Sequence, residues 1–168
     1  MKKDFSKIKL FAMDVDGTLT DGNIYIGNDG EVMKAFNAKD GLGIKLLIKK
    51  GIIPIIITGR RSKIVTRRCE EIGITVLYQG VRDKAAILKD VMEKYDCTPE
   101  QTVYIGDDMN DLPAMQTAGI TFAPADCAAA LIPYVDFVLT QKSGDAPVRE
   151  AIDLILENRL TLSDYENI

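Results

Sequence analysis

Asp14 and Asp16, two aspartates with one residue between them, stand at the end of a mostly apolar run, residues 8–13, and are followed by Gly17-Thr18. A run of that kind suits a buried strand, so the two carboxylates emerge where the strand meets solvent. Two apart on extended backbone they face the same side, and Gly17 lets the chain turn sharply behind them. Like charges held that close raise a pKa unless a cation neutralises them, and hard carboxylate oxygens select Mg²⁺ over a soft metal. Asp, Gly and Thr are also ordinary turn residues, so this stretch alone allows a polar turn without chemistry.

Three more groups fall at comparable places. Thr58-Gly59-Arg60 follows the β-branched run 52–57, Lys84 opens a helical stretch, and Gly106-Asp107-Asp108, with Asp111, follows the short run 103–105. In an open parallel sheet, ligands bind at the carboxyl ends of the strands, so these residues belong to one set. It is an acidic, metal-holding cluster with a hydroxyl and an ammonium beside it. That set suits phosphoryl transfer through an aspartyl intermediate: one carboxylate attacks, cationic and hydroxyl donors hold the phosphoryl oxygens, and a second carboxyl group moves the proton. Taken singly, Thr58-Gly59 reads as a strand-ending turn, Lys84 as a solvated helix lysine and Gly106-Asp107-Asp108 as a common loop. Four strand ends carrying complementary groups argue for a site.

The scaffold they require is legible in the same stretches. Strands are expected at 8–13, 52–57, 75–78, 103–105, 120–122 and 137–139. Helices are expected at 40–50, capped by Asp40, then at 63–72, capped by Ser62, and at 83–95, 111–117 and 147–157, with a helical turn near 127–131. Alternation of this kind implies right-handed crossovers and an α/β fold with a doubly wound, mostly parallel sheet. Residues 23–36 read as a β-hairpin around Gly27-Asn28-Asp29-Gly30, too small to stand alone and therefore leaning on its own core or on another subunit. The stretch from about 159 to 168 is polar enough to be a mobile tail.

Composition narrows the function. The 168 residues suit one domain, and with 46% hydrophobic residues they can bury a proper core. A net charge of −4 without any basic run argues against nucleic acid. There is no histidine, which excludes imidazole acid/base chemistry and His-ligated zinc and leaves carboxylates, lysine and hydroxyls to carry the reaction. Cys69, Cys97 and Cys127 form no metal or disulfide pattern, and no run is long enough to span a bilayer, so the expected place is the cytoplasm.

Asp14-Val15-Asp16-Gly17-Thr18, Thr58, Lys84 and Gly106-Asp107 with Asp111 resemble, in order, the four signatures of the haloacid dehalogenase superfamily of phosphatases. Thr20-Asp21-Gly22, the stretch from Phe36-Asn37 through Asp40-Gly41, Thr58-Gly59-Arg60-Arg61-Ser62, Arg68-Cys69 and Val148-Arg149-Glu150 are similar to the 3-deoxy-D-manno-octulosonate 8-phosphate phosphatases. The resemblance implies a Rossmann-like core with the hairpin as a small flap and no large cap domain. It also implies Mg²⁺ held by Asp14, the backbone carbonyl of Asp16, and Asp107, with Asp108 and Asp111 orienting this shell or Lys84. Asp14 would be the nucleophile, Asp16 the acid/base, and Thr58 and Lys84 the phosphoryl ligands. Asn37, Asp40, Gly41, Lys45, Arg60 and Arg68, beside Asp16 and Lys84, would bind the sugar acid, and the hairpins would join a homotetramer. Lys45 stands where those enzymes have arginine, and Lys142-Ser143-Gly144-Asp145 replaces a loop that is richer in glycine. Two alternatives stay open: a phosphatase for a nine-carbon keto-sugar acid phosphate, and a phospho-accepting receiver domain, which also uses aspartates, Mg²⁺, a hydroxyl and a lysine.

Overall fold

Leu10–Met13 form a strand with no exposed residue, and its side chains divide between two layers. Phe11 and Met13 enter one hydrophobic cluster and Leu10 and Ala12 the other, as the two-residue period of a strand requires. The computed structural model describes residues 3–166. Its elements, in chain order, are β1 (Leu10–Met13), β2 (Tyr25–Gly27), β3 (Gly30–Met33), α1 (Ala38–Lys49), β4 (Ile53–Thr58), α2 (Lys63–Ile72) and β5 (Val76–Gln79). There follow α3 (Lys84–Lys94), β6 (Thr102–Ile105), α4 (Leu112–Met115), β7 (Ile120–Ala123), β8 (Phe137–Val138) and α5 (Pro147–Ile155).

Six strands form one parallel sheet in the order β5-β4-β1-β6-β7-β8. The chain therefore winds outward from β1 in one direction, then crosses back to β6 and winds the other way. The winding direction switches between β1 and β6, and the carboxyl ends of strands at such a switch are where open α/β sheets bind ligands. Residues of α1, α2 and α5 cover the face carrying Phe11 and Met13, and those of α3 and α4 cover the face carrying Leu10 and Ala12.

Capping explains where the helices begin. Ser62 caps α2, its hydroxyl accepting the Val65 N–H, and Gly73, at φ 83°, ends it. At α1 the cap is Asn37, which accepts the Lys39 N–H at 2.9 Å, so the expectation of Asp40 as cap is corrected by one helical turn. Asp40 instead lies inside the helix, buried, and serves another end: its Oδ1 accepts the Arg149 N–H at 2.7 Å, in the first turn of α5, whose own cap residue Ala146 offers no side-chain acceptor. Within the stretch 127–131, where a helical turn is expected, the Leu131 N–H donates to the Ala128 carbonyl at 2.8 Å, and a 3₁₀ helix at Ile132–Tyr134 follows.

The hairpin of β2 and β3 is antiparallel and separate from the main sheet. Where composition suggested a mobile tail, Leu162–Tyr165 form a 3₁₀ helix held to α1. Lys50 Nζ lies 2.8 Å from Asp164 Oδ2, and Lys49 Nζ donates to the carbonyls of Ser163, Asp164 and Glu166. Residues 167 and 168 of that expected tail lie outside the described residues.

Candidate active site

The β1–β6 pairing places the first two acidic loops side by side. The Asp14 N–H donates to the Ile105 carbonyl at 3.0 Å, extending the ladder by one residue before both chains turn away. Gly17 sits at φ 90°, and a Cβ there would lie 2.1 Å from Asp107 Oδ2, so only glycine lets the two loops close on each other. Thr18 Oγ1 then donates to Asp107 Oδ1 at 3.3 Å. At Gly106 a Cβ would come within 2.4 Å of the Asp111 carboxyl carbon, which explains how Asp111 fits beneath the same loop.

Lys84, the first residue of α3, reaches this cluster from the face of the sheet that carries Leu10 and Ala12. Its Nζ lies 2.7 Å from Asp111 Oδ1 and 3.0 Å from Asp14 Oδ1, and its side chain is almost entirely buried. Asp111 also accepts the Tyr104 hydroxyl at 2.8 Å and the Asp107 N–H at 3.2 Å, so its oxygens are occupied in holding Lys84 and the loop. Asp14 differs: its Oδ1 is buried and receives no hydrogen bond, because Lys84 is close enough to attract it but is not aligned to donate.

Asp14, Asp107 and Asp111 can bring carboxylate oxygens within 4.8 Å of one another. Burial, and after it the Asp111 charge, pushes the Asp14 carboxyl up to about 6. Burial, then the charges of Asp14 and Asp111, pushes Asp107 up to about 7. For Lys84 burial acts downward, but the two carboxylates outweigh it and raise its pKa. Burial and the Asp111 charge raise Tyr104 well above its usual value, keeping it a hydroxyl donor. Three carboxylates against one ammonium leave surplus negative charge around an unpartnered oxygen. Such a donor set fits a hard divalent cation.

Asp16 lies on the outer side of the same loop. Lys34 of the hairpin donates to its Oδ1, and Arg60 Nε lies 3.9 Å from its Oδ2. Lys34 also lies 3.1 Å from Glu31, whose other oxygen accepts the Ser62 hydroxyl, so the flap is tied to its own domain. Sequence reasoning missed Lys34; the only signal was a lysine set among the apolar residues Val32, Met33 and Phe36. Thr58 is buried at the end of β4, beside β1. Asp108 is exposed and its carboxylate accepts the N–H of its neighbour Met109, so its side chain is not brought into the cluster.

Asn37, Asp40, Gly41, Lys45 and Arg68 form a second group along α1 and α2. Arg68 lies over the Phe36 ring, donates to the Asn37 carbonyl and pairs with Glu71, while Lys45 lines a groove with Glu70 and Glu71. Burial pushes the Asp40 carboxyl up to about 7, and its Oδ2 has no partner. The bridge between this group and the loop after β1 is the 142–145 loop. Asn37 Nδ2 donates to the Gly144 carbonyl, the Gly144 N–H to Thr18, and the Ser143 hydroxyl to the Gly17 carbonyl.

A family model described as a haloacid dehalogenase-like hydrolase matches residues 42–119. The 3-deoxy-D-manno-octulosonate 8-phosphate phosphatase of Escherichia coli is 46% identical over 149 residues, covering 89% of this chain and 79% of its own. The chain belongs to the haloacid dehalogenase-like hydrolases, in the family of these phosphatases. It is a phosphoric monoester hydrolase, which sets aside the receiver-domain alternative. The crystal structure of the Yersinia pestis phosphatase superposes with a TM-score of 0.88 at 46% identity, covering 90% of this chain and 82% of that one. The Moraxella catarrhalis phosphatase, solved with a magnesium ion, a phosphate ion and a KDO molecule, gives 0.87 at 41% identity, covering 90% and 87%. The doubly wound sheet is thus the fold of this family, and the divalent-cation reading of the acidic cluster agrees with the ion in that relative.

Proposed function

We propose that this enzyme hydrolyses 3-deoxy-D-manno-octulosonate 8-phosphate to the free sugar acid and phosphate, with Mg²⁺ and through an aspartyl phosphate. The observation that carries the reading is Asp14: a buried carboxylate oxygen with no hydrogen bond, beside Lys84, in a family whose Moraxella relative holds magnesium, phosphate and KDO. Asp14 forms its bond to phosphorus as the ester bond breaks, and Asp16 gives the leaving oxygen a proton. Water then attacks phosphorus, its proton passes to Asp16, and Asp14 is released. Thr58 and Lys84 bind the phosphoryl oxygens. Asp14, the Asp16 carbonyl and Asp107 would hold Mg²⁺, which when bound supplies positive charge against the phosphate.

Specificity comes from the far end of the substrate. Asn37, Asp40 and Gly41 are assigned to its hydroxyls, and Lys45, Arg60 and Arg68 to its carboxylate. Arg60 is the discriminating residue, because it is exposed, stands beside Asp16 and has only a 3.9 Å contact to restrain it. The test is kcat/KM on the eight-carbon phosphate and on a nine-carbon keto-sugar acid phosphate, for wild type and Arg60→Ala. Wild type is expected to prefer the eight-carbon ester, and Arg60→Ala to lose roughly ten- to a hundredfold on it, the cost of one charge-assisted contact. Preference for the nine-carbon ester, or unchanged selectivity in the variant, rejects this substrate.

Lys45 and Arg68 lie on the α1–α2 surface, where no hydrogen bond or ion pair joins them to the strand-end cluster among the described residues. We assign them to the substrate of a neighbouring copy, in a homotetramer built through the flap. Supporting this, Ile26 is 69% exposed, Val32 61% and Met33 49%, a cluster of apolar side chains on one hairpin. Phe36, just past the hairpin, packs against its own core beneath Arg68 and does not join them. Light scattering at micromolar concentration is expected to give four times the 18.5 kDa chain mass, and Ile26→Glu with Val32→Glu to reduce it. A monomeric wild type would overturn the assembly. We place the enzyme in the cytoplasm; its three cysteines are free, and among the described residues no helix is long and apolar enough to cross a membrane.

A further inference from the structure

We propose that Lys34 is a positioning residue for Asp16, which makes the hairpin flap part of the acid/base apparatus. The inference rests on the reading of Asp16 as the proton donor to the leaving oxygen. Every residue of β2 is exposed, yet the Lys34 side chain, on the same hairpin, is only 1% exposed. An ammonium is withdrawn from water this far only where carboxylates receive it. Here two do: Asp16 Oδ1 accepts a hydrogen bond from Nζ, and Glu31 Oε1 lies 3.1 Å away.

Glu31 fixes the other end. Its Oε2 accepts the hydroxyl of Ser62, the residue that also caps α2, so a continuous chain of contacts runs from the start of α2 through Glu31 and Lys34 to Asp16. Arg60, 3.9 Å from Asp16 Oδ2 and with a side chain 47% exposed, is a looser partner. Lys34 therefore sets the orientation of the Asp16 carboxyl group through Oδ1 and leaves Oδ2 to carry the proton toward the site. A proton donor must be held in line with the departing oxygen to act, and a carboxyl group on an unpaired surface loop is not.

The consequence is specific to the leaving group. As the Asp14–phosphorus bond forms and the ester bond breaks, a sugar alkoxide must take the Asp16 proton, whereas p-nitrophenolate departs as the anion. The ratio kcat/KM reports the steps through this first transfer and not the later hydrolysis of the aspartyl phosphate. We expect Lys34→Met to lower kcat/KM on the sugar phosphate roughly 10- to 100-fold and on p-nitrophenyl phosphate less than about threefold. Lys34→Arg should recover most of the difference. Asp16→Asn, measured beside it, tests the underlying reading, since it should show the same selective loss. A selective Asp16→Asn with an unselective Lys34→Met overturns the role of Lys34 alone. An unselective Asp16→Asn overturns the proton-donor reading and this inference with it. If Lys34→Met does not fold, as judged by its thermal transition, Lys34→Gln keeps a donor without the charge and is read by the same ratio.

Discussion

Asp14→Asn is expected to leave a folded protein and to remove turnover by roughly 10⁴-fold or more, because an amide cannot accept the phosphoryl group. The same substitution should stabilise the metal-free enzyme at neutral pH. In the folded chain burial, and then Asp111, lifts the Asp14 carboxyl to about 6, above the unfolded value of about 3.9. A carboxyl raised in this way binds its proton more tightly in the folded state. The stability it contributes is full below the unfolded pKa and is lost as pH rises through the folded one. Asp107, lifted to about 7, acts in the same direction. The chelated wild type should therefore lose stability between about pH 4 and 7. Mg²⁺ at a hundredfold excess over its Kd should restore about 2.7 kcal/mol at pH 7.5, and the same concentration should restore less at pH 5. Chelated Asp14→Asn should melt above chelated wild type at pH 7.5 and gain less from the ion. Retained turnover would remove Asp14 from its role. A melting temperature at pH 7.5 that ignores chelator would show that the acidic cluster holds no metal.

The parts of this molecule that the sequence made legible are those where a local rule and the global fold agree. The central strands were marked by apolar runs that are buried, and the start of α2 by Ser62. The strand-end groups followed, because in a parallel sheet a residue just past a strand has only one edge of the sheet to occupy. What was not legible depends on partners far apart in the chain. Asp40 has the composition of a cap, but Asn37 takes that place, and its buried carboxyl belongs to α5, whose own start lacks an acceptor. Lys34 meets Asp16 across a hairpin, an ion pair that no periodicity announces. Asp108 and Asp111 are both acidic and close in sequence, yet only Asp111 turns inward beneath Gly106. The Lys142-Ser143-Gly144-Asp145 loop, read only as a departure in composition, is joined to Gly17 and Thr18 by hydrogen bonds.

Lys84 carries the second large effect, because two buried carboxylates depend on one amine. Asp14 and Asp111, 3.0 and 2.7 Å from its Nζ, have no other cation within ion-pair distance among the described residues. Its raised pKa, in which Asp14 and then Asp111 outweigh the opposing effect of burial, means that its contribution is complete at every pH below its unfolded value and is lost only in strong alkali. Lys84→Met replaces the amine with an apolar side chain and leaves the carboxylates uncompensated, which should destabilise the chelated protein by about 3–5 kcal/mol at pH 8. Without the amine Asp14, already raised by burial, holds its proton more readily still, so the loss should shrink at pH 5, where that carboxyl group can be neutral. Asp111→Asn on the Lys84→Met background should then cost less than the same change in wild type, because one of the unpaired charges is removed. Turnover with Mg²⁺ present should fall on the order of 10²–10³-fold, the effect of losing one charged donor to the phosphoryl oxygens. Urea unfolding of the four proteins at the two pH values separates these effects. A Lys84→Met protein as stable as wild type at pH 8 would show that the cluster is neutralised without Lys84, and a single buried lysine could then no longer explain how these loops close.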